Sequence, residues 1–262
     1  MTSATLGDLF RGPARYRAES PWRPIAALLG TVLICTAALF LVAGVMAAWS
    51  ALDATGGPSD TLIERLSSLA AIEGAALAAA TQIISLVLLW LLAGWGGRRA
   101  AVLKLDGPAS STALLVGAGL LLVAITGLLE LSLYQFMRFD IFADVGWIKA
   151  GLDGPAWWLT AIVAVVLAPL WEELTFRGFL LSALAKTALG FWPAAILSNV
   201  IWTALHASYS IPGLASVFVA GLVLSWVVWR TNSIWPAIAA HAIGNMAALA
   251  FTQAFAPSAL PG

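Results

Sequence analysis

The sequence is poor in charged residues. Only 10% of its 262 residues are Asp, Glu, Lys or Arg, and 61% are hydrophobic. Soluble domains carry about 25% charged residues, and a water-soluble chain of this size could not bury so much apolar surface. A soluble enzyme is therefore excluded. The 13 basic and 13 acidic residues cancel and form no Lys/Arg-rich block, so no nucleic-acid partner is predicted.

Cysteine and histidine are also scarce. The single cysteine, Cys35, lies inside an apolar run, which excludes a disulfide scaffold and is typical of an ordinary buried thiol. The only histidines are His206 and His241. The chain contains neither the HExxH motif of zinc peptidases nor a GxGD motif. Any chemistry must therefore come from a small number of polar residues.

Long apolar runs dominate the chain. A helix needs about 20 apolar residues to cross a hydrocarbon core of about 30 Å. The apolar runs are 25–49, 74–95, 112–134, 157–170, 192–206, 213–229 and 234–255. The fourth continues into WEELTFRGFLLSALA, where one long helix or two pieces would fit equally well. The sequence predicts an all-α fold, a polytopic transmembrane helical bundle of about seven membrane helices, plus or minus one.

The predicted organisation has four parts. Residues 1–24 form a basic tail, residues 25–156 hold three membrane helices without motifs, residues 157–255 form a motif-bearing core, and residues 256–262 are a second tail. The first apolar run is longer than the roughly 7–15 residues of a signal-peptide core, so it is interpreted as a retained anchor helix.

Lys and Arg are concentrated on one predicted side of the membrane. That side holds Arg11, Arg15, Arg17, Arg23, Arg98, Arg99, Lys104, Lys186 and Arg230. The opposite loops hold Arg65, Arg138 and Lys149, diluted by acidic residues. Because cytoplasmic loops are rich in Lys and Arg, the N-terminus is predicted to be cytoplasmic. Glu130, near the outer end of the third run, is interpreted as reaching the membrane interface.

The segment EELTFR places ionisable residues inside an apolar helix. Such residues cost about 2.5–3.5 kcal/mol each on insertion scales and are functional-site candidates. Glu173 and Arg177 are four residues apart, so they share a helix face and can pair. Glu172 points about 100° away from Glu173 and is predicted to face another group. A salt bridge at a helix end would explain only one of the two glutamates.

Two later helices carry further polar residues with a spacing of four. Trp202 and His206 share a face within WTALH, and His241 and Asn245 share a face within HAIGN. Each pair alone is typical of an interhelical hydrogen bond. Because buried polar groups in lipid must satisfy one another, the three helices are predicted to converge.

The predicted convergent set suits hydrolysis. A carboxylate and a histidine can hold and deprotonate a water, and a second histidine and an amide can donate to an oxyanion. This site would need no cofactor. Glu172, His206 and His241 are also a set of zinc ligands, so one divalent metal such as Zn is the alternative.

The three segments resemble a known family. EELTFR, WTALH and HAIGN are similar, in this order, to the EExxxR, FxxxH and HxxxN/D motifs of the CAAX-protease and bacteriocin-processing (Abi) family of glutamic intramembrane proteases. The resemblance covers about residues 157–252 and implies several transmembrane helices around a conical cavity open toward the cytosolic side. Trp202 stands where the family usually has phenylalanine, and the bulkier ring is expected to narrow the cavity.

The resemblance also implies roles by position. Glu172 would be the general base, His206 would orient and activate the water, and His241 and Asn245 would form the oxyanion site. Supporting or substrate-binding residues would be Glu173, Arg177 and Trp202.

The predicted function is therefore an intramembrane endopeptidase acting on a membrane-bound peptide or protein in contact with membrane lipid. One alternative is a non-catalytic membrane scaffold that binds partners in a membrane-protein complex, and another is a transporter or proton channel. The Ala- and Trp-rich composition with short loops is typical of bacteria. The bacterial cytoplasmic (inner) membrane is therefore predicted, and a prenylated substrate is not carried over from the family.

Overall fold

The computed structural model describes residues 3–52 and 71–257, and their regular elements are all helices. The helices are α1 (Leu6–Phe10), α2 (Pro24–Leu52), α3 (Ala71–Ala93), α4 (Arg99–Val102), α5 (Thr112–Met137), α6 (Gly146–Asp153), α7 (Trp157–Leu184), α8 (Phe191–Ala204), α9 (Ile211–Thr231) and α10 (Trp235–Phe255). Apart from helices there is an isolated bridge between Ala4 and Ser110. The predicted all-α bundle is confirmed.

Six of the described helices are long and apolar enough to cross a membrane, namely α2, α3, α5, α7, α9 and α10. The protein is thus a multi-pass membrane protein. Helix α8 is apolar but has only 14 residues. At about 1.5 Å per residue it covers about 21 Å, which is less than the hydrocarbon core. The number of spans lies within the predicted range, and the fifth apolar run forms a partial crossing.

Helix α7 is one continuous helical run, which answers the question left open by the sequence. Two π-helical segments interrupt its α-helical turns, at Val163–Leu167 and Glu173–Leu180. Such segments are rare and occur frequently at functional sites. The second one contains most of the EELTFR motif, from Glu173 onwards.

Residues 3–20 lie across one end of the bundle and are called the strap here, and this end is the strap end. Basic side chains hold the strap by its backbone carbonyls. Arg230 donates to Asp8 at 3.0 Å and to Arg11 at 2.8 Å. Lys186 donates to Ser20 at 3.0 Å, and Lys104 donates to Arg17. The first predicted segment is therefore packed against the helices, while its cytoplasmic location stays a prediction.

The opposite end of the bundle, called the loop end, is formed by residues 138–154 and 205–210. The Asp144 carboxylate accepts hydrogen bonds from the backbone N–H and the hydroxyl of Ser210, both at 2.7 Å. The Phe142 and Phe251 rings stack at 5.8 Å. These contacts join the linker after α5 to the start of α9 and the end of α10. Arg65, used in predicting the orientation, lies outside the described residues, as do residues 1–2 and 258–262 of the predicted tails.

The densest part of the core surrounds the strap-end half of α7. Every residue from 173 to 185 is buried. The Phe179 ring meets Trp22 edge-on at 5.3 Å, so the residues just after the strap seal this half of the helix. Glu130 is exposed, as expected near an interface, and also accepts a hydrogen bond from the Ser216 hydroxyl at 2.6 Å.

Candidate active site

Glu173 lies at the centre of the motif residues. Its side chain is fully buried, and its Oε1 accepts a hydrogen bond from Arg177 Nη1 at 2.9 Å. The same oxygen lies 2.9 Å from His241 Nδ1. The sequence predicted the pair of Glu173 with Arg177 but missed the bond to His241. Because a carboxylate only accepts, Nδ1 of His241 carries a proton, and Glu173 joins α7 to α10.

Glu172 points away from Glu173, as the helical spacing predicts. Its side chain is 14% exposed, and its Oε2 accepts a hydrogen bond from Trp202 Nε1 at 2.6 Å. His241 Nε2 lies 4.0 Å from the same oxygen. That separation is too long for a direct hydrogen bond but allows one water to contact both atoms. Among the described residues, no protein group bonds to the other oxygen of Glu172, so it can accept a hydrogen bond from water.

Trp202 contacts three further motif side chains besides Glu172, namely Arg177, His206 and His241. The Arg177 guanidinium carbon lies 4.2 Å from the centre of its ring, a cation–π geometry. The indole meets the His206 ring edge-on at 5.2 Å and the His241 ring edge-on at 5.7 Å. Phenylalanine would keep these ring contacts but has no N–H for Glu172. The departure from the family pattern therefore adds a hydrogen bond to the carboxylate as well as bulk.

His206 lies two residues beyond Ala204, the last residue of α8, toward the loop end. Its Nδ1 is 3.1 Å from the backbone carbonyl of Trp202. Since a carbonyl only accepts, Nδ1 carries a proton, and when this is the only ring proton Nε2 has a lone pair to offer. Within the part of the chain described, His206 makes no hydrogen bond to Glu172, and Trp202 contacts both residues.

The side chain of Asn245 binds a backbone carbonyl that lacks its usual helical hydrogen bond because of the first π-helical segment. The N–H of Ala168 bonds to Val163, and Pro169 has no N–H to offer to the carbonyl of Ala164. Asn245 Nδ2 donates to that carbonyl at 2.7 Å. The amide is thereby fixed against α7, with its second N–H not used in this bond.

Asn199 is a site residue that the sequence analysis missed. It is buried, its Oδ1 accepts from Arg177 Nη2 at 3.4 Å, and its Nδ2 donates to the carbonyl of Phe218 at 2.8 Å. The side chain thus connects α7, α8 and α9. The available signal was its position three residues before Trp202, which places both on one face of α8.

The alternative metal ligands do not form a metal site in this structure. Across residues 3–52 and 71–257, no three His, Cys, Asp or Glu side chains lie close enough together to hold a metal ion. In the alternative set of Glu172, His206 and His241, Nδ1 of His241 is bonded to Glu173, which leaves Nε2 as the ring atom available to a ligand. The zinc alternative therefore stays a prediction.

Comparison with known proteins shows that the segment carrying the motifs is similar to a known family. Residues 154–247 match the family described as type II CAAX prenyl endopeptidase Rce1-like. The resemblance is confirmed. This Rce1-like segment contains all three motifs, and it supports a CAAX-type intramembrane protease at the level of the family.

One curated relative is similar to part of this chain. An uncharacterized 24.3 kDa protein of Escherichia coli is 29% identical over 85 residues, which make up 32% of this chain and 39% of that protein. No solved structure matches. The family match thus bears on the Rce1-like segment and leaves the roles of individual residues as predictions.

Proposed function

We propose that the protein is an intramembrane endopeptidase that hydrolyses a peptide bond of a membrane-associated substrate with a water activated by Glu172 and His206. The observation that carries the proposal is the convergence of three helices on Glu172. Its Oε2 is bonded to Trp202 of α8 and lies 4.0 Å from Nε2 of His241 of α10. The match of residues 154–247 to the Rce1-like family supports the same reaction class.

Glu172 acts as the general base in this proposal. The Trp202 N–H occupies one carboxylate oxygen and orients the group, so the other oxygen can take a proton from water. His206 offers the lone pair of Nε2 as a second acceptor for the same water. The resulting hydroxide adds to the scissile carbonyl carbon, and the proton taken by Glu172 passes to the leaving amine.

His241 and Asn245 form the proposed oxyanion site. Glu173 accepts from Nδ1 of His241, so Nε2 is the ring atom left for the oxyanion, and it donates there when the ring carries a proton on both nitrogens. The second N–H of Asn245 is the other donor, since the first is bound to Ala164. Glu173, Arg177 and Trp202 are positioning residues. The proposed reaction uses no metal or other cofactor, and the proposed location is a bacterial cytoplasmic membrane.

Substitution of Glu172 by Gln tests the proposal. In proteoliposomes with a library of internally quenched peptides joined to a transmembrane anchor, we expect Glu172→Gln to lower kcat by about 10²–10⁴-fold, the usual contribution of a general base. Glu130→Gln is the matched control. It changes another membrane carboxylate that accepts a hydrogen bond, and it should retain the activity of the unmodified protein.

Two results would argue against the proposal that the protein is a peptidase with Glu172 as its general base. Undiminished cleavage by Glu172→Gln would remove Glu172 from the reaction. Absence of cleavage by the unmodified protein, together with a membrane complex that survives Glu172→Gln, would favour the scaffold alternative.

A further inference from the structure

The Arg177 guanidinium contacts both halves of the proposed site. Its Nη1 donates to Glu173 Oε1 at 2.9 Å, and the same oxygen lies 2.9 Å from His241 Nδ1. Its carbon lies 4.2 Å from the centre of the Trp202 ring, and the indole N–H of Trp202 donates to Glu172. The position of one buried guanidinium therefore affects both the proposed general base and the proposed oxyanion donor.

Asn199 contacts the other nitrogen of this guanidinium. Its Oδ1 accepts from Arg177 Nη2 at 3.4 Å, a long hydrogen bond from a charged donor, and its Nδ2 donates to the backbone carbonyl of Phe218 on α9 at 2.8 Å. A guanidinium only donates and a carbonyl only accepts, so both neighbours require the same orientation of the amide. The bond to α9 thereby keeps Oδ1 directed at Arg177.

The backbone of α9 leaves room for this oxygen because residue 221 is glycine. A Cβ at Gly221 would overlap Asn199 Oδ1 and lie 2.7 Å from Arg177 Nη2. Asn199 and Arg177 are each 1% exposed, so bulk water does not compete for their hydrogen bonds. Three helices, α7, α8 and α9, thus enclose the contact between the amide and the guanidinium.

The neighbouring residue on α8 offers a comparison. Ser198 is 3% exposed, and its hydroxyl donates to the backbone carbonyl of Phe176 at 2.9 Å. This bond also joins α8 to α7, but among the described residues Ser198 has no hydrogen bond to a motif side chain. Ser198 therefore attaches one helix to another, whereas Asn199 also reaches the proposed site through Arg177.

We infer that Asn199 is a positioning residue of the peptidase, acting through Arg177 on Glu173 and Trp202. The inference rests on the proposed function. Without Asn199 the guanidinium can rotate about its bond to Glu173, and its contact with the Trp202 ring is no longer fixed. Alignment of the base and the oxyanion donors matters most in the transition state. Loss of Asn199 therefore lowers kcat and changes KM little.

Paired alanine substitutions separate positioning from attachment of the helices. Asn199→Ala and Ser198→Ala each remove a side chain that bonds α8 to a neighbour, so both should lower the midpoint of thermal unfolding in detergent. With the anchored quenched peptides, Asn199→Ala should lower kcat by about 5–20-fold and change KM by less than about twofold, whereas Ser198→Ala should retain kcat. Equal kcat in the two variants would overturn the inference and leave the proposed function standing.

A double substitution tests whether the effect passes through Arg177. In Arg177→Lys a positive charge remains to pair with Glu173, but the planar fork that reaches Asn199 is lost. Adding Asn199→Ala to Arg177→Lys should therefore lower kcat by less than about a further twofold, because interacting residues have non-additive effects. A full additional loss would show that Asn199 acts by another route, and it would overturn the inference.

The same cycle measured on unfolding midpoints needs no turnover. Asn199→Ala should lower the midpoint less in the Arg177→Lys background than in the unmodified protein, because the contact is already missing there. Equal losses would overturn the inference even if Arg177→Lys is inactive. Asn199→Ser, whose oxygen is one bond closer to the backbone and does not reach Arg177, replaces Asn199→Ala if that variant does not fold. Absence of cleavage by the unmodified protein would instead contradict the proposed function.

Discussion

Glu173 shows how one buried charge can connect two helices. Removing a carboxylate from water costs several kcal/mol unless its oxygens are paired and bonded. Arg177, one helical turn away, and His241, on α10, both meet Oε1, whereas Oε2 has no hydrogen-bond partner among the described residues. The buried carboxylate of Glu173 therefore receives both bonds only when α7 and α10 have the observed rotation and depth.

At the residue scale, the hydrogen bond from Trp202 to Glu172 is the contact that bears most directly on the proposed catalysis. Trp202→Phe keeps an aromatic ring against Arg177 and His241 but removes the donor to Glu172. A hydrogen bond to a charged group contributes about 1.5–3 kcal/mol. We therefore expect kcat to fall about 10–100-fold with little change in KM, measured with the anchored quenched peptides.

Trp158→Phe is the control for this substitution, because Trp158 is exposed on the first turn of α7. It should leave kcat unchanged. Full turnover by Trp202→Phe would show that the N–H of Trp202 does not orient the base.

At the scale of the element, the shape of α7 decides which groups can reach it. An uninterrupted α-helix would use nearly all its backbone carbonyls internally. The π-helical segment at Val163–Leu167 and the following Pro169 release the carbonyl of Ala164, and Asn245 of α10 binds it. The irregular backbone is tolerated at this depth because it is satisfied by a neighbouring helix.

Helix α9 packs closely against the site residues at Gly221. A Cβ at Gly221 would overlap Asn199 Oδ1 and lie 2.7 Å from Arg177 Nη2. Gly221→Ala must therefore displace side chains that are buried and hydrogen-bonded. Overpacking of this kind costs about 1–3 kcal/mol, so we expect a lower midpoint of thermal unfolding in detergent and reduced cleavage.

Gly127→Ala is the matched control on α5, where a Cβ would have no atom within 4 Å. Alanine favours helix over glycine by up to about 1 kcal/mol, so this variant should be as stable as the unmodified protein or slightly more so. Equal stability of the two variants would show that the site tolerates movement of α9.

At the scale of the whole molecule, the strap packs against the end of the helical bundle. Lys104, in the loop between α4 and α5, is fully buried beneath it and donates to the carbonyl of Arg17. Its ammonium also lies 4.9 Å from the centre of the Tyr16 ring. Burial lowers the pKa of Lys104 to about 8 from 10.5, although the charges of Glu19 and Asp106 act in the opposite direction.

This shift predicts that stability depends on pH. Between about pH 8 and 10.5 the unfolded chain holds a proton on Lys104 that the folded protein has released. The free energy of unfolding should therefore rise with pH across this range, by about 3 kcal/mol at most, and stay level below it. Thermal unfolding of the unmodified protein and of Lys104→Met, followed from pH 7 to 10.5, measures the effect.

Lys104→Met should lack the rise that Lys104 produces. Identical slopes in the two proteins would assign the pH dependence to other groups. The Arg230→Gln variant, which weakens the strap without changing Lys104, separates loss of the strap from titration of the lysine.

The sequence by itself determined the features that depend on local geometry. Apolar runs located the membrane helices to within a few residues, because a span must match the thickness of the bilayer. The spacing of four between Glu173 and Arg177 determined their pairing, since about 3.6 residues make one turn of a helix. Spacing also predicted that Glu172 would point away from that pair.

Only the tertiary structure decided which groups on different helices bond to one another. The bonds from Glu173 to His241, from Trp202 to Glu172 and from Asn245 to Ala164 depend on how each helix is rotated and how deep it sits. These rotations come from the packing of whole faces, including glycine contacts and the short length of α8, and the residue spacing within one helix does not specify them.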